Sequence, residues 1–393
     1  MKCPLQIQIF NKEMKKIRLY ASAAFIATMG MISCSCSNES DDKQVPPDPV
    51  EENEPFAGTW VTNVASNALT SREEIVKTVE ACADSRINNI FVVVWNNGRT
   101  IYPSKVMKDL IGIEISEKFA ERDPLKEMIE EAHKMNIKVH AWMEYGFAAS
   151  NNRNGGEIIA AKPEWKALDA EGKLLTKNGF EWMNAMLPEV QDFMTSLAVE
   201  IATNYDVDGI QGDDRLPAMP STGGYDDYTK KLYSDEHNGA EPPSDYKNEE
   251  WVNWRAAKLT EFMGRFYAAV KKVKPGIMVS NAPSVHPWAK NEYLQDWPSW
   301  LEKGYTDMVI PQVYRYDIDA YNATLEQQLK YLPAKDRGKF YPGMLIQNGD
   351  YNPSEEFLTK MIETNRRNGI AGESFWFYEG VKKFPEFFST YHK

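Results

Sequence analysis

The stretch Tyr205–Pro217, YDVDGIQGDDRLP, decides how the rest of the chain is read. A helix ends near Tyr205, and a short strand rises through Val207, Gly209 and Ile210 to two adjacent carboxylates, Asp213 and Asp214. A strand this apolar is one covered on both faces by other elements. An acid pair at its C-terminal end, followed by a long Gly- and Pro-rich segment, is where a βα-barrel enzyme holds its chemistry. A lone Asp-Asp more often caps the next helix or sits solvated in a loop, so the weight falls on whether the pattern repeats.

It repeats. From Gly58 to the end, apolar strands alternate with amphipathic helices. The predicted strands are Gly58–Val64, Asn88–Trp95, Ile137–Glu144, the stretch ending at Asp213, Ile277–Pro283, Thr306–Tyr314, Phe340–Gln347 and Gly369–Tyr378. NNIFVVVW, the second, is the continuous β-branched run of a parallel strand buried on both faces. Ser71-x-x-Glu74 is a capping box, and Asp123-Pro124 and Pro188 open two further helices. The longest gaps, about 145–187 and 214–248, follow the third and fourth strands. Both therefore belong to the loops on the C-terminal face. Eight units with enlarged βα loops predict a single (β/α)8 TIM barrel, an α/β fold, over residues 57–393. The chain has no Gly-x-Gly-x-x-Gly and no Gly-Lys-Ser/Thr loop, which argues against a nucleotide site.

Residues 1–33 read as a lipoprotein signal peptide. Lys15, Lys16 and Arg18 precede the apolar run Leu19–Ile32, which is too short to span a membrane comfortably. The run ends in Met31-Ile32-Ser33-Cys34, similar to a bacterial lipobox with Cys34 as the lipidated residue. Met14 offers an alternative start. Residues 34–56, acidic and Pro-rich, are expected to be a disordered tether. The chain would then be held in the bacterial cell envelope through its lipid anchor, on the periplasmic or surface face of the outer membrane. A net charge of −12 argues against nucleic acid as a partner, since phosphate binding needs clustered Lys and Arg. The expected partner is an oligo- or polysaccharide, bound by a monomer.

In a barrel the residues closing each strand converge on one bowl. Those positions hold Asn63, Asn96, His140, Trp142, Glu144, Tyr145, Gln211, Asp213, Asn281, Gln312, Tyr314, Gln347, Trp376, Tyr378 and Glu379. Amides share hydrogen bonds with hydroxyls and rings pack on sugar faces, so this lining suits a polyhydroxylated ligand. Period two places His140, Trp142 and Glu144 together on one face of their strand, and Gln211 and Asp213 likewise share a face of theirs, so Asp213 rather than Asp214 points at the axis. Glycoside hydrolysis needs two carboxyl groups flanking the bond, one of them an acid with a raised pKa. Asp213 with Glu144 is the expected catalytic pair, with Asp214 and Glu379 as alternates. No cofactor or metal is expected: five His, none at HxH or HExxH spacing, leave only His140 with Asp213 as the seed of an amidohydrolase-type centre. No Gly-x-Ser-x-Gly elbow is present. A non-catalytic glycan-binding lipoprotein on a degenerate barrel is the alternative reading.

Five motifs in order carry a family resemblance: HAWMEYGF (His140–Phe147), PEVQDF (Pro188–Phe193), Tyr205–Pro217, GYDDYT (Gly224–Thr229) and PQVY (Pro311–Tyr314). Together they resemble glycosyl-hydrolase-like family ten, a group of bacterial glycosidase-like lipoproteins. The resemblance implies a (β/α)8 fold and hydrolysis of glycans, with one relative looking like a peptidoglycan glycan-strand hydrolase. It also implies that Asp213, Asp214 and Glu144 stand at the family's acidic positions. This chain departs from the pattern at Gly212, where a bulky apolar residue is usual, at Arg215, where Tyr or His is common, and at Ala185, where Pro is expected.

Overall fold

Eight short strands run parallel in one curled sheet: β1 (Ala57–Val61), β2 (Asn89–Val93), β3 (Lys138–Met143), β4 (Gly209–Gly212), β5 (Met278–Asn281), β6 (Met308–Val309), β7 (Gly343–Leu345) and β8 (Glu373–Trp376). Their spatial order is β6-β5-β4-β3-β2-β1-β8-β7. The computed structural model describes residue 49 and residues 54–391. The signal segment, Cys34 and nearly all of the tether lie outside these residues.

The two edge strands meet without forming a ladder. Isolated parallel bridges pair Val309 with Phe340 and Gln312 with Gly343. Tyr341 N donates to Val309 O at 3.0 Å, and Gly343 N to Pro311 O at 2.9 Å. The sequence suggests a nine-residue strand at Thr306–Tyr314, yet β6 has two residues. Pro311 lacks the N–H a ladder needs, so the segment continues only as bridges through its carbonyls.

Helices fill the connections: α1 (Arg72–Asp84), α2 (Pro124–Lys134), α3 (Pro188–Asn204), α4 (Glu249–Val273), α5 (Trp297–Glu302), α6 (Ile318–Lys330), α7 (Glu355–Arg367) and α8 (Pro385–Thr390). Their starts follow local chemistry. The Ser71 side chain accepts from Glu74 N, Asp123 accepts from Lys126 N ahead of Pro124, and Pro188 opens α3 where its missing N–H costs nothing. Asn248 caps the 25-residue α4 by accepting from Trp251 N.

One continuous core of Val, Ile, Leu, Phe and Trp runs between sheet and helices. Trp60, Trp95, Trp142, Trp251, Trp297 and Trp300 are fully buried, so the chain's Trp richness serves packing before it serves a ligand. The connection from β3 to α3 carries a small antiparallel sheet, with Ala148–Asn151 pairing with Phe180–Trp182. Glu181 holds this sheet to the next turn, accepting from Arg153 N at 3.0 Å and Asn154 N at 3.2 Å. Two irregular segments are thereby fixed beside the C-terminal end of β3.

Candidate active site

β3 and β4 are paired in register, Trp142 opposite Gln211 and Met143 opposite Gly212. The next residue up on each strand is therefore Glu144 and Asp213, side by side and on the same face. Gly212 allows the turn that follows. A Cβ there would lie 2.3 Å from Leu216 O and 2.6 Å from Asn281 Nδ2, so a side chain is shut out and the chain folds back as Leu216 N donates to Asp213 O. This accounts for glycine at a position where the family resemblance leads one to expect bulk. Gly146 plays the matching part after β3. Its φ of +47° and a Cβ site 2.1 Å from Arg215 O let the two loops touch, and Phe147 N donates to Arg215 O at 2.9 Å.

Arg215 bridges the Asp213 and Asp214 carboxylates and reaches the main chain of Glu144. Its Nη2 lies 3.2 Å from Asp213 Oδ2, its Nη1 2.9 Å from Asp214 Oδ1, and its Nε donates to Glu144 O at 2.9 Å. The guanidinium sits 4.5 Å from the Phe180 ring centroid and 5.6 Å from that of Tyr145. Gln312 Nε2 donates to Asp213 Oδ1 at 3.3 Å, Gln295 Nε2 to Asp213 O at 3.0 Å, and Asn96 Nδ2 to Glu144 Oε2 at 2.5 Å.

One cation cannot neutralise three carboxylates. Burial, and then the adjacent Asp214 charge, push the Asp213 carboxyl well above its usual range, against the pull of Arg215. Burial also raises Glu144, opposed by Arg215 and by the Asn96 hydrogen bond. Asp213 is thus set to hold a proton where an ordinary Asp would have lost it.

These groups line a cleft of about 170 Å³ at the C-terminal end of the strands. Glu144, Asp213, Asp214, Arg215 and Arg315 form its charged part, with Gln312 and Tyr314 from the segment after β6 and Trp376 from β8. Trp376 packs against Trp60 and Trp142, at centroid distances of 5.8 Å each, and against Tyr314 at 6.1 Å. Burial pushes the Tyr314 hydroxyl well up, with the Asp213 charge adding to it, so this phenol stays neutral.

Other residues expected at the bowl stand elsewhere. His140 faces the opposite mouth, two rungs below Glu144 and across from Gly209, with Nε2 2.9 Å from Asn89 Oδ1. Burial drops its pKa to about 4, so it is a neutral core residue far from the acids. Gln211 is wholly buried beneath the cleft, accepting from Trp60 Nε1 at 2.8 Å and donating to Ser280 Oγ at 3.4 Å. Asn281 is buried and donates to Leu216 O at 3.3 Å. Trp142 supports Trp376 from behind, and Tyr145 packs on Phe180 beside Arg215. Asn63 and Gln347 are half-buried outside the lining. Tyr378 and Glu379 turn out of the bowl because the helix Tyr378–Val381 starts directly after β8. Glu379 accepts from Ser66 Oγ at 2.7 Å and pairs with Lys382 at 2.6 Å, which makes it a structural ion pair and no partner for Asp213.

The cleft also takes side chains that strand-end reasoning does not reach: Asn178, Phe180 and Trp182 from the insertion after β3, Trp288 and Tyr293 after β5, and Arg315 and Tyr316 after β6. Among them, only the aromatic character of Phe180, Trp182, Trp288, Tyr293 and Tyr316 could have flagged a site residue.

Residues 55–346 match the family described as Glycosyl hydrolase-like 10. Glycosyl hydrolase DigH of Escherichia coli strain K12 is 24% identical over 360 residues, covering 77% of this chain and 79% of that protein. Glycosyl hydrolase YngK of Bacillus subtilis strain 168 is 22% identical over 286 residues, covering 65% of this chain and 51% of that one. Among solved structures, the PgaB (BpsB) glycoside hydrolase domain from Bordetella bronchiseptica superposes with a TM-score of 0.62 at 11% identity, over 86% of this chain and 99% of that one. The catalytic domain of β-amylase from Paenibacillus polymyxa does so with a TM-score of 0.60 at 11% identity, over 86% and 98%. At such identities these structures speak for the fold, which is TIM-barrel-like and glycosidase-like. The family match takes in well over half of the sequence, and the chain belongs to the Glycosyl hydrolase-like 10 family.

Proposed function

We propose that the protein is a glycoside hydrolase that cleaves an oligo- or polysaccharide with Asp213 and Glu144, on a curled sheet that works as a closed (β/α)8 barrel. One observation carries this reading: the buried Asp213 and the half-buried Glu144 leave adjacent, in-register strands into an aromatic cleft, where Arg215 is split between the Asp213 and Asp214 carboxylates. Asp213, the more strongly proton-holding of the two, donates to the departing glycosidic oxygen. Glu144, oriented by Asn96 and lying beside Arg215, acts from the other side of the bond as nucleophile or as base for water. Asp214 supports Arg215 and raises the proton affinity of Asp213. The neutral Tyr314 and the Gln312 amide offer hydrogen bonds to sugar hydroxyls, and Trp376 gives a ring face.

The chain would act at the cell envelope, anchored through Cys34 behind its acidic tether. Screening the purified protein for reducing-end release from bacterial cell-wall glycan strands and plant or host polysaccharides tests the reading. Asp213→Asn and Glu144→Gln should each lower the rate by roughly 10²–10⁴-fold with the fold intact. Retention of full activity by both amides would defeat the assignment. Binding without turnover would favour a sugar-capturing protein.

A further inference from the structure

Tyr316 is 45% exposed, the most exposed large apolar side chain among the described residues, and it lies on the lining of the same cleft as Asp213. An aromatic side chain left in water usually moves freely, but this one is held from two directions. Its ring meets Tyr351 edge-on, with centroids 4.8 Å apart and planes at 73°, and its hydroxyl accepts from Asn348 Nδ2 at 3.3 Å. Asn348 is itself fixed through backbone bonds exchanged with Tyr351, each 3.0 Å. Burial raises the Tyr351 hydroxyl, with the Tyr316 and Asp317 charges adding to this, which fits a pair that packs as neutral rings. A pre-positioned ring presents a flat apolar face at no ordering cost when a ligand arrives. Trp288, from the segment after β5, adds a second half-buried ring to the same cleft, packed on Tyr293 at 5.5 Å. Asp213 is 4% exposed against 45% for Tyr316, so the acid lies deeper and the Tyr316 ring nearer solvent, where a longer ligand runs on beyond the unit being cleaved.

We propose that Tyr316, braced by Tyr351 and Asn348, is a distal sugar-binding platform that rewards substrates long enough to cover its ring. The assignment rests on the glycosidase reading and extends it, because a ring beyond the acid pair rewards only substrates long enough to reach it.

The test compares kcat/KM on β-1,4-linked N-acetylglucosamine, glucose and xylose oligomers of two to six units, for the full chain and three variants. Wild type should gain steeply as the oligomer lengthens to the unit that covers Tyr316. Tyr316→Ala should lose about tenfold of that gain, the worth of leaving roughly 50 Å² of ring face uncovered. Tyr316→Phe keeps the ring and should keep most of the gain. Tyr228→Ala, at an exposed tyrosine outside the cleft, should behave as wild type. If no series is hydrolysed, the same oligomers are titrated against wild type and Tyr316→Ala by calorimetry. Binding that tightens with length in wild type and not in Tyr316→Ala keeps the platform while the hydrolase reading falls. Length dependence that is equal in wild type and Tyr316→Ala, or absent from all three series in both assays, overturns the platform, and the loss of activity in Asp213→Asn then still stands or falls by itself.

Discussion

The two ends of the sheet handle charge in opposite ways. At the N-terminal ends of the strands each acid has its own partners. Asp307 lies 2.7 Å from Lys271 and also accepts from Tyr267 and from Val279 N. Asp208 accepts from Val139 N and meets His133 at 2.9 Å. The fully buried Glu373 takes both Nη atoms of Arg366 at 2.9 Å and accepts from Asn365 and Tyr391. At the C-terminal ends the Asp213 and Asp214 carboxylates divide Arg215, whose Nε reaches Glu144 only at its main-chain carbonyl. A fold that supplies counter-charges so fully below could have done so above. The lower acids are structural, while the upper ones are left with proton affinity to use, as a site that moves protons requires.

Removing an acid at each end should sharpen the contrast. The largest effect is on activity: Asp213→Asn should abolish nearly all turnover, and its stability should rise at neutral pH. The sign follows from linkage. A carboxyl raised in the folded state binds its proton more tightly there than when unfolded, so its stabilising contribution is complete at low pH and is lost as pH rises through the folded value. The amide removes that loss, and thermal melts from acid to neutral pH should show the variant gaining on wild type as pH increases.

Next comes Glu373→Ala, which removes the shared acceptor of the half-exposed Arg366 and of Asn365 and Tyr391 and should cost about 1–3 kcal/mol of stability while the protein that remains folded keeps its kcat. Denaturant titration beside single-turnover assays separates the two. A subtler effect is expected from Arg215→Met. Arg215 holds both Asp213 and Glu144 down, so its removal should move both limbs of the pH–rate profile to higher pH. Arg215→Lys should restore part of the shift. The smallest is Asp208→Asn, which weakens one half-exposed ion pair and one hydrogen bond at a cost of roughly 1 kcal/mol, with the pH–rate profile unchanged.

Much of this contrast can be read in the sequence, though unevenly. Strand identity was legible because β-branched runs and caps such as Ser71 and Asp123 act locally. Period two placed Glu144 and Asp213 on one face but said nothing of height along the strand. His140 and Gln211 share their parity and end in the core, two rungs and one rung lower respectively. Strand length was overread at Thr306–Tyr314, where Pro311 stops the ladder. Tyr378 and Glu379 leave the cleft because a helix begins at Tyr378, where the pattern suggests the last residue of the strand Gly369–Tyr378. Phe180, Trp182, Trp288 and Tyr316 come from insertions and connections outside the barrel-type repeat, whose course is set by long-range contacts such as Glu181 to Arg153 N, and no periodicity encodes these.

The contrast between the two mouths is tested most directly by carboxyl infrared spectroscopy at pH 6, about two units above where an ordinary Asp titrates. Wild type should show a protonated-carboxyl C=O band that disappears in Asp213→Asn and survives in Asp208→Asn. A spectrum with no such band, or one whose band persists in Asp213→Asn, would contradict the account.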